Sequence, residues 1–201
     1  DAEVAITGGG NNILLLSRLD KTFVVDATIR LCGYIRQHPE AQFNVCYIGD
    51  GSKKRVKQIL KQYRSLSNAT VQMLGEMLPL PRKLLESFNL AISKAGCARQ
   101  CALSRVPTIM YALDKDVPIG FCGYEFHCKT TSEEASPQDF DSLVDRALVL
   151  HEPQGRKWKY YDEAARSNID YEDHLRRIKL YPQSNNYYNV MDVSPSMSRL
   201  I

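Results

Sequence analysis

Two cationic side chains lie close together near the start of the chain, directly after its first apolar run. Residues 13–16 are followed by Ser17, Arg18 and, three residues later, Lys21. A helical pattern begins just behind them, and a helix N-terminus presents backbone N–H groups and the positive end of the helix dipole. Guanidinium and ammonium groups at such a point bind anions such as phosphate. The sequence therefore predicts an anion site that includes Ser17, Arg18 and Lys21.

The next apolar runs end in turns of small residues that suit a bound phosphate. Glycine lets the backbone approach a ligand closely, and ligands of open parallel sheets bind at the carboxyl ends of the strands. The residues after the second, third and fourth runs are Gly49, Asp50 and Gly51, then Gly75, Glu76 and Met77, then Ser93, Gly96, Cys97 and Ala98. Each turn alone is compatible with an ordinary loop, but four successive strand ends of this kind favour a nucleotide-type ligand.

The acidic and sulfur side chains do not indicate a metal site. The six cysteines lack the paired short spacing of zinc ligands, and we interpret them as reduced thiols of a cytosolic protein. Asp114 and Asp116 form an acid-x-acid pair, but they follow the fifth apolar run, where a solvated loop is the simpler interpretation. We therefore predict no metal.

Composition and charge exclude several functional classes. The 201 residues are 44% hydrophobic and 24% charged, which is ordinary for a chain that buries its own core. The 26 Lys and Arg against 23 Asp and Glu give a net charge of +3, and no basic stripe is evident, so we expect no nucleic-acid partner. There is no apolar stretch of about 18 residues and no signal-peptide pattern, which favours a cytoplasmic chain.

Apolar runs and helical periods alternate along the chain. The predicted strands are residues 13–16, 43–48, 70–74, 90–93 and 106–111, and residues 119–124 form a sixth strand or a loop. Runs that are apolar throughout suit strands buried on both faces, which is typical of parallel sheets. The alternation predicts an α/β fold with a doubly wound, Rossmann-like parallel sheet.

The helical periods also predict which side chains face the core. The sets are Val25, Ile29, Cys32 and Ile35 in the first helix, then Val56, Ile59, Leu60 and Tyr63 in a helix that begins at Ser52, then Phe140, Leu143, Val144, Ala147 and Leu148 in one that starts at Ser136. A further helical stretch is predicted from residue 158 to about residue 178.

In this order, the motifs resemble the nucleotide-sugar-binding half of group 1 glycosyltransferases, which have the two-domain GT-B fold. The resemblance covers residues 12–150 and lies in residues 13–21, 45–51, 74–76 and 106–109. It implies that Arg18 and Lys21 grip the donor diphosphate and are catalytic, because they stabilise it as a leaving group. It also implies that the turn at 49–51 lies near the nucleotide, that the turn at 75–77 meets the base, and that residues 93–98 face the sugar and the phosphates. The donor substrate is then a nucleotide diphosphate sugar, and no other cofactor is expected.

One part of the chain departs from the family's pattern. Many members carry two glutamates seven residues apart, and here Gln100 stands at the second position while the first falls at Ile92 or is lost in a shorter loop. Gln100 is expected to hydrogen-bond a ribose. Arg99 either assists the phosphate or is a surface charge of the helix. The donor sugar and the stereochemical outcome therefore stay open.

The predicted organisation is a linker (1–11), a donor-binding domain (12–150), a helical segment (151–181) and an irregular tail (182–201). Since the acceptor domain precedes the donor half in this family, we expect a C-terminal donor-binding domain of a hexosyltransferase-type enzyme, incomplete without its N-terminal domain. Its acceptor is expected to be a glycan or lipid-linked precursor of polysaccharide biosynthesis, at the inner face of a membrane. Two alternatives stay open, namely a separate donor-binding subunit of a two-protein transferase and a non-catalytic nucleotide or sugar-phosphate binding domain.

Overall fold

Six strands form a single sheet in the computed structural model, which describes residues 10–77 and 80–151. In chain order they are β1 (Asn11–Leu16), β2 (Phe43–Ile48), β3 (Ala69–Gly75), β4 (Leu90–Lys94), β5 (Thr108–Tyr111) and β6 (Pro118–Phe121). The order across the sheet is β3-β2-β1-β4-β5-β6. The first five strands are parallel, and β6 pairs antiparallel with β5.

Helices cover both faces of this sheet. They are α1 (Thr22–Gln37), α2 (Lys53–Tyr63), α3 (Arg82–Leu85), α4 (Ala95–Leu103) and α5 (Phe140–Leu148). The buried residues of α1, α2 and α5 share one apolar cluster on one face, whereas α3 and α4 contribute to clusters on the other. This is the predicted doubly wound α/β arrangement.

The first strand shows why the sheet is buried on both sides. Ile13 and Leu15 belong to the cluster beneath α1, and Leu14 and Leu16 belong to the cluster beneath α3 and α4. All four side chains are buried. A strand with two apolar faces has no side to present to water, so its continuous apolar run is what this position requires.

The core-facing side of α1 differs from the predicted one. Ile29 is 52% exposed and Val25 is only partly buried. The buried face is wider and consists of Phe23, Val24, Ala27, Thr28, Leu31, Cys32, Tyr34 and Ile35. Cys32 and Ile35 are buried as predicted, whereas the prediction missed the neighbouring residues that form the rest of this face.

Other predicted helix features are partly confirmed. In α2, Ile59 and Tyr63 are buried as predicted, but Leu60 is 37% exposed. All five predicted core residues of α5 are buried. That helix begins at Phe140 rather than at Ser136, because the Asp139 carboxylate accepts a hydrogen bond from the Ser142 N–H (2.9 Å) and caps it there.

Several predictions concern residues that the structure does not describe. The linker up to residue 9, the helical segment after residue 151 and the tail from residue 182 lie outside the described residues. Within residues 10–77 and 80–151, no helix combines the length and apolarity needed to cross a bilayer.

Candidate functional site

The strand order marks one point along the carboxyl edge of the sheet. β1 lies between β2 and β4, and the chain continues from β1 into α1 on one face and from β4 into α4 on the other. In doubly wound sheets the crevice at such a reversal of strand order is where ligands bind. Leu16 and Ser93 are paired across β1 and β4, so the turns that follow them lie side by side at this edge of the sheet. We call these turns, residues 17–21 and 94–97, the switch point.

Arg18 and Lys21 lie together on the first of these turns. The Lys21 N–H donates a hydrogen bond to the Arg18 carbonyl (3.2 Å) and closes the turn. Arg18 is exposed and Lys21 is partly buried. Within the described ranges neither cation forms an ion pair with a carboxylate. As far as the described residues are concerned, both charges are therefore available to an anion.

The second turn of the switch point has an unusual backbone. Ala95 has φ of +54°, a left-handed conformation that costs energy for a residue with a Cβ. Gly96 follows, and a Cβ built on it meets no atom within 4 Å. The first turn of α4 thus borders open space.

The two helices of the switch point differ from two other helices in how they begin. The N-cap residues of α1 and α4 are Lys21 and Lys94, and neither supplies a side-chain hydrogen bond. By contrast, Ser52 and Asp139 cap α2 and α5 with their side chains. The first N–H groups of an α-helix have no partner within the helix. At the switch point no side chain caps them, and uncapped N–H groups at a helix start can bind an anion. Of the two lysines there, Lys94 pairs with Asp116, whereas Lys21 has no carboxylate partner among the described residues.

The ends of β2 and β3 support this site through their backbones. The Gly49 N–H donates to the Gly75 carbonyl (2.8 Å), and the Leu19 N–H donates to the Asp50 carbonyl (2.7 Å). Gly49 has φ of +142°, and a Cβ there would lie 1.9 Å from the Ser17 carbonyl oxygen. These contacts hold three of the predicted turns, at residues 17–21, 49–51 and 75–77, next to one another at the carboxyl edge of the sheet.

Asp20 connects the first turn to α2. Its carboxylate accepts hydrogen bonds from the Ser52 N–H (3.0 Å) and the Ser52 hydroxyl (2.8 Å). Arg55 lies 4.0 Å from the same carboxylate and donates to the Asp20 carbonyl. The turn that carries Arg18 and Lys21 is therefore held in place by residues from the next helix.

Three of the predicted binding residues turn their side chains inward. Ser17 and Ala98 are buried, and Ser93 is fully buried with its hydroxyl donating to the Leu16 carbonyl (2.6 Å). The Ser93 hydroxyl thus joins the ends of β1 and β4. The buried side chains of Ser17, Ser93 and Ala98 are therefore suited to stabilise the backbone of the switch point.

The remaining predicted residues lie in the turns after β2 and β3 and in the first two turns of α4. Cys97 and Met77 are partly buried against the cluster beneath α3 and α4. Arg99 is partly buried, and the residues exposed to solvent are Asp50, Gly75, Glu76, Gly96 and Gln100. Gly51 lies close to Leu19, since a Cβ built on it would meet the Leu19 side chain at 2.7 Å.

The structure adds a group of residues that the sequence analysis did not identify. The Lys94 ammonium lies 3.1 Å from the Asp116 carboxylate and 5.8 Å from the ring centre of Phe23. The Thr22 hydroxyl donates to the same carboxylate. Burial opposes the charged form, but the hydrogen bonds from Thr22 and Lys94 prevail and lower the pKa of Asp116. The loop after β5 is thus anchored to the starts of both α1 and α4.

Both carboxylates of the acid-x-acid pair accept hydrogen bonds from other residues of the chain. Asp116 is held as described, and Asp114 accepts hydrogen bonds from the Ser132 hydroxyl (2.6 Å) and N–H (2.7 Å), which lower its pKa. In the described part of the chain, no group of three or more His, Cys, Asp or Glu side chains is placed to hold a metal ion.

The sequence matches no protein-family model, and no curated protein matches it. Two solved structures share its fold. A TarM variant from S. aureus, crystallised with fondaparinux, alpha-GlcNAc-glycerol and UDP, superposes with a TM-score of 0.52 at 17% identity, over 87% of this chain and 36% of the TarM chain. The pneumococcal O-GlcNAc transferase GtfA, in complex with UDP and GlcNAc, gives a TM-score of 0.53 at 10% identity, over 87% of this chain and 37% of its own.

Both neighbours are GT-B glycosyltransferases, so the predicted Rossmann-like fold of that architecture is confirmed. At these identities the likeness concerns the fold alone. The chain spans a little over a third of the length of the two structures.

Proposed function

We propose that this chain is the donor-binding domain of a glycosyltransferase and that the switch point holds the diphosphate of a nucleotide sugar. One observation carries the proposal. The two helices that start there, α1 and α4, are both preceded by a lysine and both lack the side-chain cap present on α2 and α5. A diphosphate between them would accept hydrogen bonds from the uncapped N–H groups and lie at the positive ends of two helix dipoles.

This arrangement suits a departing nucleoside diphosphate. When the bond between the sugar carbon and the phosphate oxygen breaks, negative charge grows on the diphosphate. Cationic groups already fixed around the phosphates stabilise that charge more in the transition state than in the ground state. Arg18 and Lys21 are unpaired with carboxylates in the described residues, and we assign them this role. No metal ion is invoked, because the two side chains supply the positive charge.

The proposed donor is a uridine diphosphate sugar, because both structural neighbours were crystallised with UDP. In this proposal the turn at Gly75, Glu76 and Met77 meets the base, the Gly49 to Gly51 turn lies beside the nucleotide, and Gln100 reaches the ribose. Transfer to a glycan or lipid-linked acceptor, of the hexosyl type and in polysaccharide biosynthesis, requires an acceptor domain outside this chain. We propose that it works as a peripheral protein at the cytoplasmic face of a membrane.

A non-catalytic nucleotide or sugar-phosphate binding domain is the second candidate. It is favoured by the position of the two residues that stand where many family members carry glutamate. Ile92 is fully buried in β4, and Gln100 is an exposed amide. Neither is a carboxylate that could face the sugar. This candidate predicts the same diphosphate binding, without sugar transfer when the chain is joined to an acceptor domain.

Alkylation of Cys97, which lies at the switch point, tests whether a diphosphate binds there. Of the six cysteines, Cys97 is partly buried and the other five are buried. Burial raises the pKa of Cys32 and Cys46 to about 11 and that of Cys122 to about 12, so at pH 7.5 they remain unreactive thiols. We expect N-ethylmaleimide to alkylate Cys97 first, and UDP at about ten times its Kd to slow that reaction about 11-fold.

The alkylation rate is read by peptide mass spectrometry, with Cys97→Ser as the control that removes the fast site. Uridine, which lacks the diphosphate, should give little protection. Alkylation of Cys97 at the same rate with and without saturating UDP would contradict the proposal, as would equal protection by uridine.

A further inference from the structure

Helix α2 carries a dense group of cations that the donor site does not use. Its solvent side presents five exposed basic residues, Lys53, Lys54, Lys57, Lys61 and the C-cap residue Arg64. No acidic residue occurs between Gly51 and Asn68. The balanced overall charge of +3 hides this group, which the sequence analysis did not recognise as a stripe.

Helical geometry gathers these residues on one side. At about 100° per residue, the five positions fall within an arc of about 100°. The buried residues Ile59 and Tyr63 are centred about 150° away from the middle of that arc. We call the five residues the basic stripe. Leu60, which is 37% exposed, lies beside it next to Lys53.

The basic stripe has no acidic partner among the described residues. The ion pair that the described part of α2 forms is that of Arg55 with Asp20, and Arg55 lies outside the arc of the stripe. Arg55 also donates to Gln58 (3.0 Å), and neither contact includes a residue of the stripe. Five like charges on one helix face repel one another, so an anionic surface that approached them would relieve this repulsion.

The shape and composition of the stripe decide which anion it fits. α2 is about 16 Å long, and its exposed side offers lysines on flexible stems together with an apolar neighbour, Leu60. Four to eight Lys or Arg residues on an amphipathic helix are typical of binding to anionic lipid headgroups. The stripe contains no aromatic side chain on which a base could stack. A flat array of lipid phosphates therefore fits better than a nucleic acid.

We propose that the basic stripe of α2 docks this domain on a bilayer that contains anionic lipids, with Leu60 entering the headgroup region. The proposal assigns a surface to the peripheral membrane location given above. The stripe does not include Arg18, Lys21 or α4, so the membrane experiment and the nucleotide experiment fail independently of each other.

The test measures sedimentation of the full chain with vesicles of phosphatidylcholine alone or with about 30% phosphatidylglycerol. We expect binding to the anionic vesicles and not to the neutral ones, weakening as the salt concentration rises above about 0.1 M. A stripe variant with Lys54→Gln, Lys57→Gln and Lys61→Gln should partition about 100-fold more weakly, since each cation near an anionic surface contributes about fivefold.

A control variant with Arg36→Gln, Lys83→Gln and Lys129→Gln removes three exposed charges from other elements and should lose no more than about fivefold. All substitutions are at exposed positions, and circular dichroism checks that both variants fold. Absence of vesicle binding by the natural chain, or equal losses in the two variants, would overturn the proposal. Tighter binding to a duplex oligonucleotide than to anionic vesicles, lost in the stripe variant, would assign the stripe to nucleic acid instead.

Discussion

Replacing either switch-point cation by alanine should weaken UDP binding by about 10- to 150-fold. This range corresponds to about 1.5–3 kcal/mol for the loss of one hydrogen bond to a charged group. Arg18 and Lys21 form no ion pair within the described residues, so each substitution removes a contact with the ligand and leaves no buried charge of the chain unpaired. Isothermal titration of the natural chain, Arg18→Ala and Lys21→Ala with UDP measures the effect.

Arg36→Ala is the matched control for this experiment. It removes an equal charge from an exposed position at the other end of the same helix, about 22 Å from Lys21 along the axis. UDP affinity in this variant should remain within about twofold of the natural value, because charges beyond a Debye length are largely screened. If all three variants bind UDP as the natural chain does, the two cations do not hold a diphosphate.

Gly49→Ala should lower the free energy of unfolding by about 3–5 kcal/mol. Two causes act together. The residue has φ of +142°, which side-chain-bearing residues rarely adopt, and the added methyl group would lie 1.9 Å from the Ser17 carbonyl oxygen. Because Ser17 directly follows β1, the backbone must move for the methyl group to fit. Urea unfolding monitored by circular dichroism gives the value.

Gly33→Ala separates this steric effect from a general effect of removing glycine. Gly33 lies within α1, and a Cβ built on it meets no atom within 4 Å. Alanine should raise the free energy of unfolding there by about 0.4–1 kcal/mol, because it restricts the unfolded chain and favours the helix. If Gly49→Ala were tolerated as well as Gly33→Ala, the methyl group would not clash with the Ser17 carbonyl.

Local patterns were sufficient to predict most strands of this fold. The predicted run 43–48 coincides with β2 (Phe43–Ile48), because a strand buried on both faces leaves a continuous apolar signature between turn residues. The core-facing residues of α5 were also predicted correctly. In α1, Cys32 and Ile35 are buried as predicted but Val25 and Ile29 are not, because apolar side chains recur at more than one helical register there and the spacing alone did not select the buried one.

Contacts between distant parts of the chain could not be predicted from such patterns. Lys94 and Asp116 are 22 positions apart, and Thr22 and Asp116 are 94 apart, so no periodicity links them. The same limit applies to Ser93, where the sequence suggested a ligand contact and the structure shows a hydroxyl bonded to the Leu16 carbonyl. The glycine turns could be placed at one edge because parallel strands end at the same edge whatever their order.

A diphosphate that binds between the starts of α1 and α4 changes the environment of the backbone amides there, and amide chemical shifts report that change. The chain is labelled with ¹⁵N and titrated with UDP, with uridine as the reference. We expect the largest diphosphate-dependent shifts at the amides of Thr22, Phe23, Ala95 and Gly96. Shifts confined to the opposite edge of the sheet, at Asn12, Phe43 and Asn89, or no shift at saturating UDP, would contradict binding of a diphosphate at the switch point.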